Sequence, residues 1–513
     1  MFKVTNIRYP ALILISLMAV KIAAQYVLIH PSFDLQRDEY LHLDLADHPA
    51  WGYVSVPPVT AWIAILIKFL GNGMFWVKFF PALFGAFTMF FCWKIVEELG
   101  GSLFAKVMVA LAVLFSVLLR INTLFQPNSF EIMAWTAAFY FLVRYLHRGT
   151  AIHLYILAFV FAIAFLNKYN VMFPIAGIGL AWLILPQRRL LWTPHLAGAA
   201  ILFLLLIAPN IYWQVSHGVP FIKHMQELTE RQLVHVERTN FIKEQLLFFM
   251  HPLFLTVLGV IGFIRFKPFS AYRVFLLGTL FTLVLYTWFR AKGYYAAGLY
   301  PALLAFGAVY LGHPTQTRNR IWRPITMALV VVSFIPFLLI AFPYDSAEAM
   351  AASPEKYRKL GLLRWEDGKE HALQQDFADM LGWREMAYLT DSAVNLLKEK
   401  EQALIIADNY GQAGAVNYYG TTGLRAVSFN ADYLYWFPIG KPLRHIVRII
   451  SASNYQKDPD LKEERSFCDT MILVGEVSSR YAIEKNTRIY VMKNLKGDVW
   501  PVIEQEIKEK THN

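Results

Sequence analysis

Residues 1–344 contain twelve carboxylates, and four of them, Asp38, Glu39, Asp44 and Asp47, fall within ten residues, with Asp34 just upstream. Ionisable groups close to strongly apolar segments are costly and mark functional sites. A partly buried carboxylate can serve as general base toward a hydroxyl. Asp38 and Glu39 are adjacent, so on a helix they point about 100° apart and cannot form a facing pair. Either one points into a cavity while the other orients a neighbour or a metal, or both favour a helix N-terminus through its dipole. His42 follows Asp38 by four residues and His48 follows Asp44 by four, so each pair shares a helix face. That spacing suits a divalent metal, and it also arises by chance in an amphipathic helix. The metal question stays open, and no organic cofactor is expected.

A second set is basic: Arg120, Lys168, Arg290 and Lys292. Arg290 and Lys292 flank a tight turn in FRAKGYYAAGLYP. Cations converging on one face suit a phosphate or diphosphate, which a guanidinium can hold by two oxygens. The competing account is snorkelling of long side chains at helix ends. Tyr53, Tyr294, Tyr295 and His217 are the aromatic substrate-site candidates. Interface-belt aromatics and a rigid turn around Trp213 and Pro220 would account for most of them as well. Glu131 and Asn167 lie within or near apolar runs and read as partnered core groups.

The elements that must position these groups follow from composition. The chain has 513 residues, 57% hydrophobic and 17% charged. Soluble domains run at about 45–50% apolar and about 25% charged. The departure excludes a disordered chain, a coiled coil and an ordinary soluble enzyme. Two cysteines, Cys92 and Cys468, exclude a disulfide scaffold and a thiolate metal cluster. Their unlike surroundings predict no bridge. The net charge of +11 invites a nucleic-acid reading, but its distribution does not support one. Residues 1–344 carry 26 Lys+Arg, and residues 345–513 carry 22 against 25 Asp+Glu. A basic, acid-poor, apolar segment reads as a multispanning membrane domain over 1–344, followed by a soluble domain over 345–513.

Eleven windows approach the roughly 20 apolar residues of a transmembrane helix. They lie near 9–29, 75–98, 103–120, 129–147, 152–167, 170–186, 195–214, 250–265, 272–289, 294–312 and 322–342. The first has a basic flank (Lys3, Arg8) without a small-x-small cleavage site, and reads as an anchor. With the N-terminus inside, Lys94, Lys106, Arg144, Arg148, Arg188, Arg189, Arg265, Lys267, Arg273, Arg318, Arg320 and Arg323 fall on the cytoplasmic face. The odd count sends 345–513 outside, which is periplasm in a bacterium. Arg120, Lys168, Arg290 and Lys292 then break the positive-inside pattern. Outside loops 30–74 and 215–249 are long. The first holds DEYLHLDLADH, a Pro-Pro and TAWIAILIKFL, whose eleven residues suit an interfacial helix better than a span. Residues 345–395 read as a linker with short helices. ALIIAD, LRAVSFN, TMILVGE and RIYVMKN read as strands, with a short helix in NYGQAGAVNYYG. This small α/β domain has no GxGxxG, P-loop or nucleophile elbow.

RDEY at 37–40, WGYVSVPP at 51–58, LNKYN at 166–170, APNIYWQVSHGVPF at 208–221 and KGYYAAGLYP at 292–301 occur in this order. In that order they resemble the bacterial protein-mannosyltransferase-like glycosyltransferases of the GT-C superfamily. These are relatives of the protein O-mannosyltransferases and of the lipid A aminoarabinose transferase. The likeness covers about 1–310, and ADNYGQAGAVNYYG is similar to the C-terminal domain of many bacterial members. It implies a polyprenyl-phosphate-linked sugar as donor and an inverting transfer to a hydroxyl of a protein, lipid or glycan at the outer face of the inner membrane. It implies Asp38 as catalytic base with Glu39 its neighbour, and Lys168 and the Arg290–Lys292 turn at the lipid phosphate. Two positions depart from the pattern. Val56 stands where many relatives have His, and Asn128 where many have Asp. Both bear on substrate choice and on any metal.

The rival class is a transporter or lipid-linked glycan flippase. That class predicts two similar halves with broken spans and charge at mid-membrane. No such halves stand out, and the charges gather at one face.

Overall fold

A computed structural model describes residues 8–231, 237–313 and 321–512. Lys3, Arg318 and Arg320 lie outside the described residues. The chain forms two compact units. The first takes residues 8–27, 50–63 and 69–342, and the second takes Leu28–Pro49, Ala64–Lys68 and residues 343–512.

The helices up to residue 341, in chain order, are α1 (Arg8–Val27), α2 (Arg37–Asp44), α3 (Val59–Phe69), α4 (Met74–Glu98), α5 (Leu103–Leu114) and α6 (Val117–Ile121). They continue with α7 (Pro127–Arg148), α8 (Ile152–Asn167), α9 (Met172–Ile184), α10 (Pro194–Ser216), α11 (Pro220–Arg231) and α12 (Arg238–Phe248). The last four are α13 (Leu253–Arg265), α14 (Arg273–Trp288), α15 (Tyr300–Gly312) and α16 (Trp322–Ala341). Each of the eleven apolar windows falls on a helix or a consecutive pair.

Among the described residues, six helical segments are long and apolar enough to cross a membrane: Tyr9–Val27, Met74–Glu98, Pro194–Ser216, Lys267–Trp288, Gly293–Gly312 and Trp322–Ala341. Two pairs bent by 115° and 100°, at α9 and at α12–α13, bring the number to eight if each is one span. The difference from eleven lies in three elements. Helices α5 and α8 have 12 and 16 residues, under the roughly 20 that a crossing takes. Helix α7 is long enough but carries Glu131, Arg144 and Arg148.

Packing in this unit depends on close helix approach. A Cβ at Gly307 of α15 would fall 1.8 Å from the Leu255 carbonyl oxygen of α13, and one at Gly259 of α13 would fall 2.8 Å from the Leu303 oxygen of α15. The pair therefore crosses backbone to backbone. Gly307→Val should lower the thermal midpoint of the solubilised chain by several degrees, read by unfolding in detergent, and an unchanged midpoint would contradict that crossing. The basic ends of α4, α5 and α7 meet two carboxylates. Glu97 takes Lys94 and Lys106, and Glu98 takes Arg148 through two bonds of 2.7 Å.

In the second unit, five strands form one sheet of order β2-β1-β3-β5-β4. They are β1 (Ala403–Ala407), β2 (Ala426–Ser428), β3 (His445–Ile450), β4 (Cys468–Glu476) and β5 (Arg488–Leu495). The β1 pairings with β2 and β3 are parallel, and those of β3 with β5 and β5 with β4 are antiparallel. The four expected strands are present. β3, HIVRII, is an addition, and its side chains are buried at five of six positions. The expected linker also changes. Residues 383–395 are a full helix, α20 in chain order after three short ones (Ala347–Ala351, Glu355–Arg358, Gln375–Ala378). It buries Trp383, Met386, Ala387, Thr390 and Val394, an i, i+3, i+4 pattern of core contact. Helix α21 (Tyr410–Tyr419) follows β1, and a later helix, Trp500–His512, closes the domain. Both cysteines are free and buried.

Candidate active site

Helix α2 begins with a capping box. Gln36 accepts the Asp38 N–H at 2.9 Å through its side chain, while the Glu39 carboxylate accepts the Gln36 N–H at 2.8 Å. This assigns different surroundings to the two adjacent acids. Glu39 is 0% exposed and shapes the helix start. The Asp38 side chain keeps 34% exposure, so a hydroxyl from solution can reach it. Asp38 accepts the Tyr410 hydroxyl at 2.6 Å, and Arg37 Nε stands 3.9 Å away.

The other acids of the cluster are structural in their contacts. Asp34 accepts Arg384 at 2.6 Å and Tyr419 at 3.2 Å. Asp44 accepts Asn417 at 2.6 Å and Tyr433 at 2.7 Å. Asp47 meets Arg425 at 2.9 Å and Lys68 at 2.5 Å. The expected Asp44–His48 helix face is not formed. Helix α2 ends at Asp44, a 3-10 turn covers Leu45–Asp47, and His48 instead stacks on Trp436 at 4.2 Å. Among the described residues, no group of three or more His, Cys, Asp or Glu is arranged to hold a metal ion.

Burial pushes the Asp44 carboxyl up to about 6, against the hydrogen bonds from Asn417 and Tyr433. It pushes Asp379 up to about 7, against the charge of Arg37. The folded chain therefore holds these protons more tightly than the unfolded chain does. Their contribution to stability is full below about pH 4 and is lost as pH rises through about 6 to 7. Asp44→Asn should flatten the fall of the thermal midpoint between about pH 4 and 6. Parallel curves for variant and parent would contradict this assignment.

In the first unit, four of the five sequence motifs converge. Asn210 of α10 donates to the Trp51 carbonyl at 2.7 Å and accepts the Tyr169 hydroxyl at 2.9 Å. Gln214 donates to the Tyr53 carbonyl at 3.2 Å. Gly52 lies against Trp213, where a Cβ would sit 2.4 Å from the indole. The buried Tyr53 hydroxyl accepts the Ala50 N–H at 3.0 Å. His217 is exposed, stacked on Trp213 at 4.2 Å. LNKYN meets KGYYAAG through Asn170, which donates to the Tyr295 carbonyl at 3.2 Å and to Glu131 at 2.8 Å. Tyr286 donates to Asn170 at 2.7 Å.

Lys168 sits at the centre of this arrangement, just past the end of α8, with its side chain 20% exposed. Its ammonium donates to Asn128 at 2.8 Å and to Glu131 at 3.2 Å. It lies 4.3 Å from the Tyr295 ring centroid and 5.5 Å from that of Tyr294. Asn128 thus takes part as a neutral acceptor. Arg290 adopts φ +53° in the turn after α14 and is half-buried, as is Lys292. Arg120 is half-buried and donates to Thr123 at 2.8 Å. Glu131 and Asn167 have the partners expected of core groups, with Asn167 donating to the Pro127 carbonyl at 2.9 Å.

Residues 55–213 match the family model for dolichyl-phosphate-mannose-protein mannosyltransferase. The fold is similar to that of ArnT from Cupriavidus metallidurans bound to undecaprenyl phosphate, with a TM-score of 0.61 at 12% identity over 94% of this chain and 97% of that one. The chain thus has the fold of ArnT. The apo form of the same ArnT gives a TM-score of 0.60 at 13% identity and the same coverage. The lipid A galacturonosyltransferase RgtD of Rhizobium johnstonii is 22% identical over 182 residues, which is 34% of this chain. The chain spans 38% of the length of that relative in the match. The apolar helices, together with this family match, support a membrane protein.

Three features of the site escaped the sequence reading. Glu131 is the ion partner of Lys168, 37 residues away on the preceding helix. Asn170 and Tyr286 extend that pair. Tyr410 lies 372 residues from Asp38. The first had a signal, because a carboxylate and an ammonium in neighbouring apolar helices need each other. The last had none within the chain pattern.

Proposed function

We propose that the chain is an inner-membrane glycosyltransferase that moves a sugar from a polyprenyl-phosphate donor to an acceptor hydroxyl at the outer face, with inversion. The acceptor is a protein, a lipid or a glycan. The observation that carries this reading is the family match over 55–213 inside a fold shared with ArnT across 94% of the chain. The undecaprenyl phosphate bound to that ArnT supports a polyprenyl-phosphate donor here. The N-terminus is cytoplasmic, about eleven segments of residues 1–344 enter the membrane, and residues 345–513 form an extracytoplasmic domain.

In this reading Asp38 takes the proton of the acceptor hydroxyl. The acceptor oxygen forms a bond to the anomeric carbon as the bond to the donor phosphate oxygen breaks, and the electron pair leaves with polyprenyl phosphate. Lys168, Arg290, Lys292 and Arg120 stabilise that departing charge. Tyr53, Tyr294, Tyr295 and His217 are the substrate-contact candidates. Direct displacement needs no covalent intermediate on the protein.

Reconstituted in liposomes with a labelled polyprenyl-phosphate sugar, the chain should release free polyprenyl phosphate. Movement of intact donor across the bilayer without cleavage would instead mark a transporter and overturn the reading.

A further inference from the structure

The geometry points to Tyr410 as a positioning residue for the acid Asp38, which makes the sheet-containing unit part of the catalytic apparatus rather than a cap. This rests on the reading of Asp38 as base.

The sheet has a topological switch point. β1 leads through α21 to β2 on one side, and β3 lies on the other side, all three parallel. Ligands of open α/β sheets bind outside the strand C-termini at such a point. Here that crevice is filled by the chain's own polar side chains. Asp408 accepts the N–H and hydroxyl of Ser451 at 2.7 and 3.0 Å and pairs with Arg448 at 2.6 Å. Gln412 donates to Glu484 at 2.7 Å and to Ser451 at 3.2 Å.

The outer face of α21 has a different task. It packs on α2. Gly411 and Gly414 provide the close approach, since a Cβ at Gly411 would lie 3.0 Å from Arg37 Cβ and one at Gly414 would lie 2.7 Å from Tyr40 Cβ. Tyr40 rests among Trp383, Tyr418 and Tyr419 with ring centroids 5.7 to 6.0 Å away. The NYGQAGAVNYYG stretch is therefore a seat for the acidic helix. Within it, the Tyr410 hydroxyl reaches Asp38 at 2.6 Å. Loss of hydration and the Asp38 charge push the Tyr410 phenol well above its ordinary value, so it keeps its proton and donates. A hydrogen bond of this kind fixes which carboxylate oxygen faces the acceptor.

The test uses the full chain in liposomes with labelled donor. Tyr410→Phe should lower kcat about 10- to 100-fold, as expected of a misaimed catalytic group, with the donor KM within about twofold. Tyr433→Phe removes a donor to Asp44 on the same seat. It should lower the thermal midpoint and leave kcat in place. Equal kcat losses in both variants would reduce Tyr410 to a packing role and overturn the inference. Wild-type turnover in Tyr410→Phe beside an inactive Asp38→Asn would overturn it while leaving Asp38 as base. Turnover retained by Asp38→Asn would remove the underlying reading, and the inference with it.

Discussion

Asp38→Asn should lower turnover by about 10²–10⁴-fold, the usual contribution of a general base. Expression and thermal stability should change little. The substitution is nearly isosteric, and the amide oxygen can still accept the Tyr410 hydroxyl that lies 2.6 Å from the carboxylate. What is lost is the capacity to take a proton. The competing account gives Asp38 only a helix-dipole role, worth about 0.3–1 kcal/mol. That account predicts a small stability change and full turnover. Glu39 is the contrasting control, because its carboxylate closes the capping box from a fully buried position. Glu39→Ala, which removes that acceptor, should reduce stability by about 1 kcal/mol, within the range for cap losses. Steady-state turnover beside thermal unfolding separates the two acids.

The second large effect is expected at Lys168. Loss of a preorganised charge at a departing oxyanion costs about 10²–10³-fold in kcat, and Lys168→Met should show it. The single variant also strands Glu131, which is buried and ion-paired to Lys168 at 3.2 Å. Breaking a buried pair from one side costs about 3–5 kcal/mol. The informative variant is therefore Lys168→Met with Glu131→Gln. The side-chain amide introduced by Glu131→Gln would keep an acceptor for Asn170, which donates to Glu131 at 2.8 Å. The double variant should regain the folding lost by the single one and remain slow, with donor turnover measured on folded protein. Recovery of turnover together with stability would show that Lys168 serves only to neutralise Glu131.

The extent to which this was readable in the sequence differs by element. The apolar windows found every long helix, because burial in hydrocarbon demands long uninterrupted apolar runs. They also counted α5, α8 and α7, whose length or charge sets them apart. The strands ALIIAD and RIYVMKN were visible as short β-branched runs. HIVRII was not, since a central Arg448 interrupts it. That arginine is accounted for by Asp408 at 2.6 Å. Helix α20 was legible in the spacing of Trp383, Met386, Ala387, Thr390 and Val394 but was hidden by the charges around it. Single-chain patterns carry no information on pairings such as Asp38 with Tyr410 or Asp44 with Tyr433. Those depend on which distant segment supplies the seat. The four motifs around Lys168 could be ordered along the chain, but their convergence through Asn210, Gln214 and Asn170 comes from helix packing.

The central claim is that sugar leaves a polyprenyl phosphate for an acceptor hydroxyl by direct displacement with Asp38 as base. Its most direct measurement is a single-turnover reaction of the reconstituted full chain with doubly labelled donor. Sugar transferred and polyprenyl phosphate released are counted, and the anomeric configuration of the product is determined. The account predicts one sugar transferred per lipid phosphate released, inverted configuration, and formation of both products slowed about 10²–10⁴-fold in Asp38→Asn. Retained configuration, or equal turnover in Asp38→Asn, would contradict it.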